Sequence, residues 1–431
     1  MSIKKQAEMA KEASLKLAVI PAKIKNKALL SIANALKKNQ KQILDANRKD
    51  VEEAKKSKLN KALIKRLMLD WHKIDEMVDE VKSVARLDDP VGKVLSQVEL
   101  DKGLMLYQVT CPIGVIGAIF ESRPDAVTQI VALCIKSGNA VMLKGGSEAK
   151  NTNQALVKVM CKALKKSKMP EGAFQLLETR EEVSQMLRLI NYISLIIPRG
   201  SGKFVHYVQE HTKIPVLGHS EGICHVFVDK DADLKKAVDI CFDAKCQYPA
   251  VCNAMETLLV HKDIAKKFLP GMLRKFKQAR VKIRGDEKTR KIGKVNKNAT
   301  EDDWRAEYND LILSVKVVND VNEAINHINK YGSKHTDAIV TENKKTAAIF
   351  MNQVDSASVM CNASTRFADG FRYGKGAEVG ISTSKIHARG PVGLDGLVIY
   401  KYKLIGAGHI VKDYVGTGSK KFKHRFIRKI Y

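Results

Sequence analysis

Cys252 stands in the segment Tyr248-Pro249-Ala250-Val251-Cys252-Asn253-Ala254-Met255-Glu256, directly ahead of the apolar run Thr257 to Val260. A proline in the approach and a strand-like run behind place this thiol on a turn rather than inside an apolar helix, and a turn is where a nucleophile is useful. A cysteine thiolate is well suited to displace a good leaving group from an acyl carbon and to hold the product as a thioester. The other cysteines, at 111, 134, 161, 224, 241, 246 and 361, carry no such context. Cys134 and Cys161 lie among helical apolar residues and read as small buried hydrophobes. With no Cys-x-x-Cys pair in the chain, neither disulfides nor a metal site is expected.

Two other turns have the composition of an anion cradle. Val141-Met142-Leu143-Lys144-Gly145-Gly146-Ser147-Glu148 and Ile197-Pro198-Arg199-Gly200-Ser201-Gly202-Lys203-Phe204 each end a strand at glycines and begin a helix. Glycines let the backbone approach a ligand, and a helix N-terminus offers unpaired N–H groups to an anion. Gly-Gly and Gly-Ser-Gly turns are also common structural features of α/β folds, so residue types alone leave both readings open. Neither Gly-x-Gly-x-x-Gly nor a P-loop occurs.

The elements that must position these turns follow from periodicity. Residues 1–85 alternate apolar and Lys/Glu positions at helical spacing and predict three or four amphipathic helices. The runs Val94 to Leu100 and Leu104 to Thr110, separated by Asp101-Lys102-Gly103, read as a hairpin. Short apolar runs then alternate with helical stretches: Val115 to Phe120, Ala140 to Lys144, Phe174 to Leu177, Leu195 to Pro198 and His225 to Val228. After Asp229 come helix 233–245, strand 257–260, helix 263–280, strands near 313 and 338, helix 344–353 and a strand at Leu397 to Leu404. This alternation predicts α/β units with mostly parallel sheets. The Lys/Arg/Asn/Asp-rich stretch 282–303 reads as an exposed excursion, and the basic tail beyond Ser419 as a frayed terminus.

Several further segments occur in order: Pro112-Ile113-Gly114-Val115-Ile116-Gly117 leading to Glu121-Ser122-Arg123-Pro124-Asp125, His335-Thr336-Asp337-Ala338-Ile339, Asn362-Ala363-Ser364-Thr365-Arg366-Phe367, and Gly376-Ala377-Glu378-Val379-Gly380-Ile381 through His387-Ala388-Arg389-Gly390-Pro391. Together with the Cys252 segment, this set resembles the γ-glutamyl phosphate reductase family (glutamate-5-semialdehyde dehydrogenases) of the aldehyde dehydrogenase superfamily over nearly the whole chain. The resemblance implies an α/β, aldehyde dehydrogenase-like fold. A Rossmann-type NADP-binding domain would occupy 1–90 and 114–228, and a catalytic domain 229–390. An oligomerisation hairpin at 91–113 would join a C-terminal strand in 391–410, followed by a basic tail at 411–431.

The implied activity is NADPH-dependent reduction of L-glutamyl 5-phosphate to L-glutamate 5-semialdehyde and phosphate, the second step of proline biosynthesis from glutamate. The semialdehyde then cyclises spontaneously. By this resemblance Cys252 is the nucleophile, with Arg123 at the superfamily's oxyanion asparagine position and Asn253 in the catalytic set. Asn362, Arg366, His387 and Arg389 are candidates for substrate binding, with Asn362 and Ser364 also able to shape the loop that presents Arg366. Lys144, Gly145, Gly146, Ser147, Arg199, Gly200, Ser201, Gly202, Lys203 and Glu307 would hold the cofactor. Arg199 and Lys203 supply charge for the additional phosphate of NADPH. His219 falls where oxidising relatives keep the glutamate that activates water, so thioester hydrolysis is expected to be slow and phosphate to be the acyl acceptor in reverse. A shift of register would bring Glu221 to that position instead.

Composition bounds the rest. At 431 residues and 45% apolar content, the chain is long enough for two domains plus a smaller element. The net charge of +28 comes from 58 lysines and 17 arginines against 47 acidic residues. Lysine dominance at solvent-like helical positions points first to a general bias of solvated faces, then to steering of anionic substrates or nucleic-acid contact. Apolar runs are far shorter than the ~18 residues of a membrane span, and the N-terminus carries no signal-type block, so a cytoplasmic protein is expected. Expected partners are further copies of the chain and, because no amino-acid kinase region precedes the reductase, a separate glutamate 5-kinase. Two rivals remain: an acylating dehydrogenase using another donor such as a coenzyme A thioester, disfavoured by Arg123, Arg366 and Arg389, and a basic nucleic-acid-binding protein on the same fold, which salt-sensitive DNA binding without turnover would reveal.

Overall fold

The computed structural model describes residues 1–121, 123–165 and 167–429; Ser122 of the motif above, and Ile430 and Tyr431 of the tail, lie outside the described residues. Five helices open the chain rather than three or four: α1 (Ile3–Leu17), α2 (Ala22–Lys38), α3 (Gln40–Lys56), α4 (Lys61–Leu67) and α5 (Trp71–Arg86). Helix α4 is a seven-residue piece, too short for its periodicity to separate it from its neighbours. Side-chain caps mark several starts, among them Ser2 accepting from the Lys5 N–H and Asp70 from the Lys73 N–H.

The hairpin β1 (Val94–Asp101) and β2 (Leu104–Pro112) leads into β3 (Val115–Phe120), α6 (Asp125–Lys136), β4 (Ala140–Lys144), α7 (Lys150–Leu164), β5 (Phe174–Leu177), α8 (Arg180–Met186), β6 (Leu195–Arg199) and α9 (Gly202–Glu210). Strands β3 to β6 form a parallel sheet in the order β5-β4-β3-β6. Every residue of β3 and β4 is buried, which explains why both read as unbroken apolar runs; burying each Val, Ile, Leu or Phe there contributes about 1.5–3 kcal/mol. Met142 fills this core. Cys161, by contrast, is exposed on α7: its neighbours in sequence are apolar, but the helix turns it outward, which corrects the buried reading.

A second parallel sheet follows, built from β7 (Cys224–Val228), α10 (Leu234–Cys246), β8 (Met255–His261), α11 (Lys262–Gln278), β9 (Lys282–Gly285), α12 (Glu287–Ile292), β10 (Lys297–Asn298), α13 (Glu301–Trp304), β11 (Ile312–Val318), α14 (Val321–Tyr331), β12 (Thr336–Val340), α15 (Lys344–Gln353) and β13 (Ser358–Cys361). Its order is β10-β9-β11-β8-β7-β12-β13. Residues 282–303 are therefore part of this sheet and not an excursion. Their polar composition misleads because Ile283 and Thr289 carry the burial while Asp303 takes the Arg284 guanidinium.

A short antiparallel pair, β14 (Gly380–Ser382) and β15 (Gly390–Val392), precedes β16 (Val398–Ile405) and β17 (Arg425–Lys429). These last two extend the hairpin into a four-stranded antiparallel sheet, β16-β2-β1-β17. The basic tail thus pairs, with Val98 opposite Phe426 and Glu99 opposite Arg425, and Phe422 stacks on Tyr414 at 4.5 Å. Alternating aromatic and basic residues made a strand that a reading of charge alone took for a frayed end. Among the described residues no helix is long and apolar enough to cross a membrane.

Candidate active site

One cavity of about 640 Å³ opens between the C-terminal edge of the first sheet and the N-terminal edge of the second. Sheet order brings its parts together. In the second sheet β8, β7 and β12 are neighbours, so the segments entering them at one edge are neighbours as well: Cys252 before β8, His219 and Gly222 before β7, and His335 immediately before β12. The turn carrying Cys252 is closed by the Ala254 N–H donating to the Val251 carbonyl at 3.0 Å. The Cys224 thiol donates to the Cys252 carbonyl at 3.1 Å.

Gly222 is packed directly against this turn. A Cβ there would meet the Cys252 Cα at 2.5 Å and its carbonyl carbon at 2.6 Å, while the Gly222 N–H donates to the Glu307 carboxylate at 2.9 Å. Gly222→Ala must therefore push the Cys252 backbone away. We expect a loss of at least about tenfold in kcat/KM and destabilisation of about 1–3 kcal/mol from overpacking, checked by steady-state kinetics and thermal melting.

The thiol of Cys252 is held well below the usual cysteine range. Burial pushes it upward, but the imidazoles of His335 and His219 outweigh burial by favouring the thiolate. Reciprocally, burial lowers His219, yet its pairing with Cys252 and its bond to the Ile381 carbonyl at 2.9 Å raise it to about 9. Cys224, Cys134 and Cys241 are all pushed up by burial, and Cys246 to about 11. Cys252 is thus the cysteine set up to react at neutral pH.

Four arginines line the cavity, Arg66, Arg123, Arg199 and Arg366, beside His219. Among the described residues no lysine lines it. Planar guanidinium groups suit phosphate and carboxylate oxygens, which they can bind in bidentate fashion. Arg366 sits on a short turn capped by Ser364, whose hydroxyl accepts from the Arg366 N–H at 3.3 Å, and its Nε donates to Gln247 at 3.0 Å. Half-buried Arg199 faces Glu378 at 3.9 Å and leaves its Nη1 without a hydrogen-bond partner. It lines the cavity next to the Gly200 to Gly202 turn. Glu378 is raised by burial, against which Arg199 works. Asn253 lines the cavity, donating through Nδ2 to the Ala368 carbonyl at 2.9 Å and leaving its buried Oδ1 without a partner.

Three sequence candidates are not in the cavity. Asn362 adopts φ +53° at the end of β13 and spends its amide on the Thr341 N–H and carbonyl; it shapes a turn. His387 bonds the Gly396 carbonyl at 3.0 Å. Arg389 is committed to Asp355, through both carboxylate and carbonyl at 3.0 Å. In each case the residue type suits a substrate, but a protein partner in contact already takes up its polar group.

Residue types alone missed His335 and Arg66. His335 was visible only as part of a motif ahead of a strand. Arg66 belongs to a lysine-rich helix with nothing to mark it, yet its Nη2 reaches the Ala250 carbonyl at 2.7 Å beside the Cys252 turn.

Comparison with known proteins agrees with this architecture. Residues 1–310 match the model of the aldehyde dehydrogenase family. The chain belongs to the aldehyde dehydrogenase family. It is 56% identical to γ-glutamyl phosphate reductase of Methanococcoides burtonii, over 98% of this chain and 96% of that one, and 56% identical to the enzyme of that name from Acetivibrio thermocellus, over 100% and 99%. The crystal structure of γ-glutamyl phosphate reductase from Thermotoga maritima superposes with a TM-score of 0.92 at 45% identity, covering 95% of this chain and all of that one. All three matches, each bearing that name, cover 95% or more of this chain.

Members of this family work with a nicotinamide cofactor, and the residues here fit one. Strand pairing sets Lys144 opposite Ile119 and Arg199 opposite Phe120, so both glycine turns emerge on either side of β3 at one sheet edge, where α/β sheets bind nucleotides. At Gly202 a Cβ would meet the Ser220 carbonyl oxygen at 2.6 Å, and Ser201 caps α9 without a side-chain hydrogen bond while its own N–H donates to the Glu121 carboxylate at 3.1 Å, so this helix start already holds an anion. Gly200, Ser201 and Gly202 line the cavity together with Glu307, whose carboxyl is raised by burial. The Lys144 turn sits farther back: Lys144 is buried and bonds the neighbouring Gly145 carbonyl, with Gly145, Gly146 and Ser147 leading into α7. Lys203 is exposed on the first turn of α9.

Proposed function

We propose that this protein reduces L-glutamyl 5-phosphate to L-glutamate 5-semialdehyde with release of phosphate, the second step of proline synthesis from glutamate. The observation that carries the reading is a thiolate-poised Cys252 beside His219 in a cavity lined by four arginines. The Cys252 thiolate attacks the acyl carbon, the C–O bond to phosphate breaks, and a thioester remains on Sγ. Arg123 and Arg366 hold the anionic substrate, and His219, protonated at neutral pH, is the proton donor within reach of the departing phosphate. When bound, the cofactor supplies a hydride; collapse of the resulting thiohemiacetal returns Cys252 to the thiolate and frees the aldehyde. With a histidine rather than a carboxylate beside the thioester, water is poorly activated, which keeps hydrolysis slow.

The cofactor is NADPH in this reading, with Lys203 as the exposed cation for its additional phosphate and Lys144 and Glu307 toward its two riboses. The cofactor domain spans 1–90 and 114–228, and the catalytic domain 229–390. The chain assembles with copies of itself through the hairpin sheet, supported by exposed Ile399, Tyr402, Leu404 and Ile405 on β16. It is cytoplasmic and receives its substrate from a separate glutamate 5-kinase. The deciding assay runs in reverse: glutamate semialdehyde with NADP⁺, with and without phosphate. Phosphate-dependent NADPH formation is expected. Equal rates without phosphate would make the protein a hydrolytic dehydrogenase, and no turnover with either would remove the reductase reading.

A further inference from the structure

His219, Cys252 and His335 each direct one ligand-capable atom to a common point, and these atoms lie within 4.8 Å of one another. The rings are held as metal-binding histidines are held, with one nitrogen anchored to an oxygen, which sets tautomer and orientation, while His219 is also paired with the Cys252 thiol. His219 commits Nδ1 to the Ile381 carbonyl at 2.9 Å. His335, fully buried, places Nδ1 at 2.9 Å from the Thr336 hydroxyl, and its buried Nε2 has no hydrogen-bond partner. The two rings meet edge to face at 4.9 Å between centroids.

Two imidazoles and a thiolate form a borderline-soft donor set that suits Zn²⁺ and leaves one tetrahedral position open. Ligand bonds of about 2.0–2.3 Å put tetrahedral neighbours roughly 3.5 Å apart. Contraction from the present spacing is a side-chain adjustment, since Cys252 sits on a turn. Nearby Glu307 is engaged by the Gly222 N–H, and the Cys224 thiol lies on the anchored side of His335, 3.8 Å from Nδ1.

We propose that His219, Cys252 and His335 form an inhibitory Zn²⁺ site, with three protein ligands and a fourth position open to the substrate cavity. The metal takes the lone pair that Cys252 would use on the acyl carbon and the His219 proton is released to solvent, so binding and acylation are mutually exclusive. No redox change is involved, and a chelator restores the free thiolate. The inhibitory consequence rests on the reading of Cys252 as the nucleophile; the site itself does not.

The test uses the full chain, stripped with chelator, and Co²⁺ as a spectroscopic probe followed by Zn²⁺ displacement. We expect one equivalent bound, with a near-ultraviolet thiolate-to-cobalt charge-transfer band and tetrahedral visible bands, both displaced by Zn²⁺. Cys252→Ser should remove the charge-transfer band, Cys224→Ser should keep it, and His335→Asn should weaken binding at least about tenfold. Zn²⁺ should also block alkylation of Cys252 by iodoacetamide. A band that survives Cys252→Ser, or affinity unchanged in both His335→Asn and His219→Asn, would overturn the proposal, as would absence of any charge-transfer band in folded wild type. Should Cys252→Ser fail to fold, wild type already alkylated at Cys252 replaces it. These readouts need no turnover, so an inactive protein with the band sinks the reductase reading alone, and an active one without it sinks the metal site alone.

Discussion

Cys252→Ala is expected to lower the phosphate-dependent rate by at least about 10⁴-fold, the scale seen when a covalent nucleophile is removed, while the thermal midpoint changes little. The two outcomes separate because Cys252 is only partly buried on a loop, so losing its sulfur removes chemistry more than packing. No neighbouring cysteine is set to replace it: Cys224 is buried and held as the thiol, and Cys246 is pushed up to about 11. Single-turnover reduction, with circular dichroism to verify the fold, would measure this. Residual activity within tenfold of wild type would show that the acyl group is not carried on Cys252.

His219→Asn is expected to cost about 10²–10³-fold in kcat/KM, the usual worth of a positioned acid–base group, and to change the pH profile in a defined direction. In chelator-treated wild type, the depressed Cys252 thiol and His219 at about 9 keep thiolate and imidazolium together through neutrality. Iodoacetamide alkylation should therefore be nearly level from about pH 6 to about pH 8, where an ordinary thiol near 8.5 slows about tenfold per unit of falling pH. The thiolate is lost only as pH falls through its own lowered value. Turnover that needs the His219 proton declines as pH rises through about 9. In the variant the alkylation midpoint should move upward, with His335 still favouring the thiolate, and the alkaline limb should vanish. A variant with the wild-type alkylation profile would remove His219 from the account.

Much of the local structure was legible in the sequence for physical reasons. Strands β3, β4 and β5 begin and end where the apolar runs Val115 to Phe120, Ala140 to Lys144 and Phe174 to Leu177 do; β3 and β4 are buried throughout, which keeps their runs nearly unbroken. The turn at Cys252 was legible from proline before and β-branched and apolar residues after. The tail strand and residues 282–303 were not, because there the charge lies on solvent-facing positions and pairing with a distant strand decides the conformation. Val98 and Phe426 pair although they lie 328 positions apart in the chain.

By itself, the sequence determined the fold class and marked Cys252 and the two glycine turns as candidates, since each depends on residue type and immediate neighbours. Tertiary structure decided which polar groups remain available to a ligand. Arg366 and Arg389 are the same residue in similar loops, yet Asp355 occupies Arg389 whereas Arg366 faces the cavity. The convergence of His219, Cys252 and His335 likewise follows from the adjacency of β8, β7 and β12. Spacing along the chain cannot encode it, because strand order in a parallel sheet is set by packing between segments that the sequence keeps far apart.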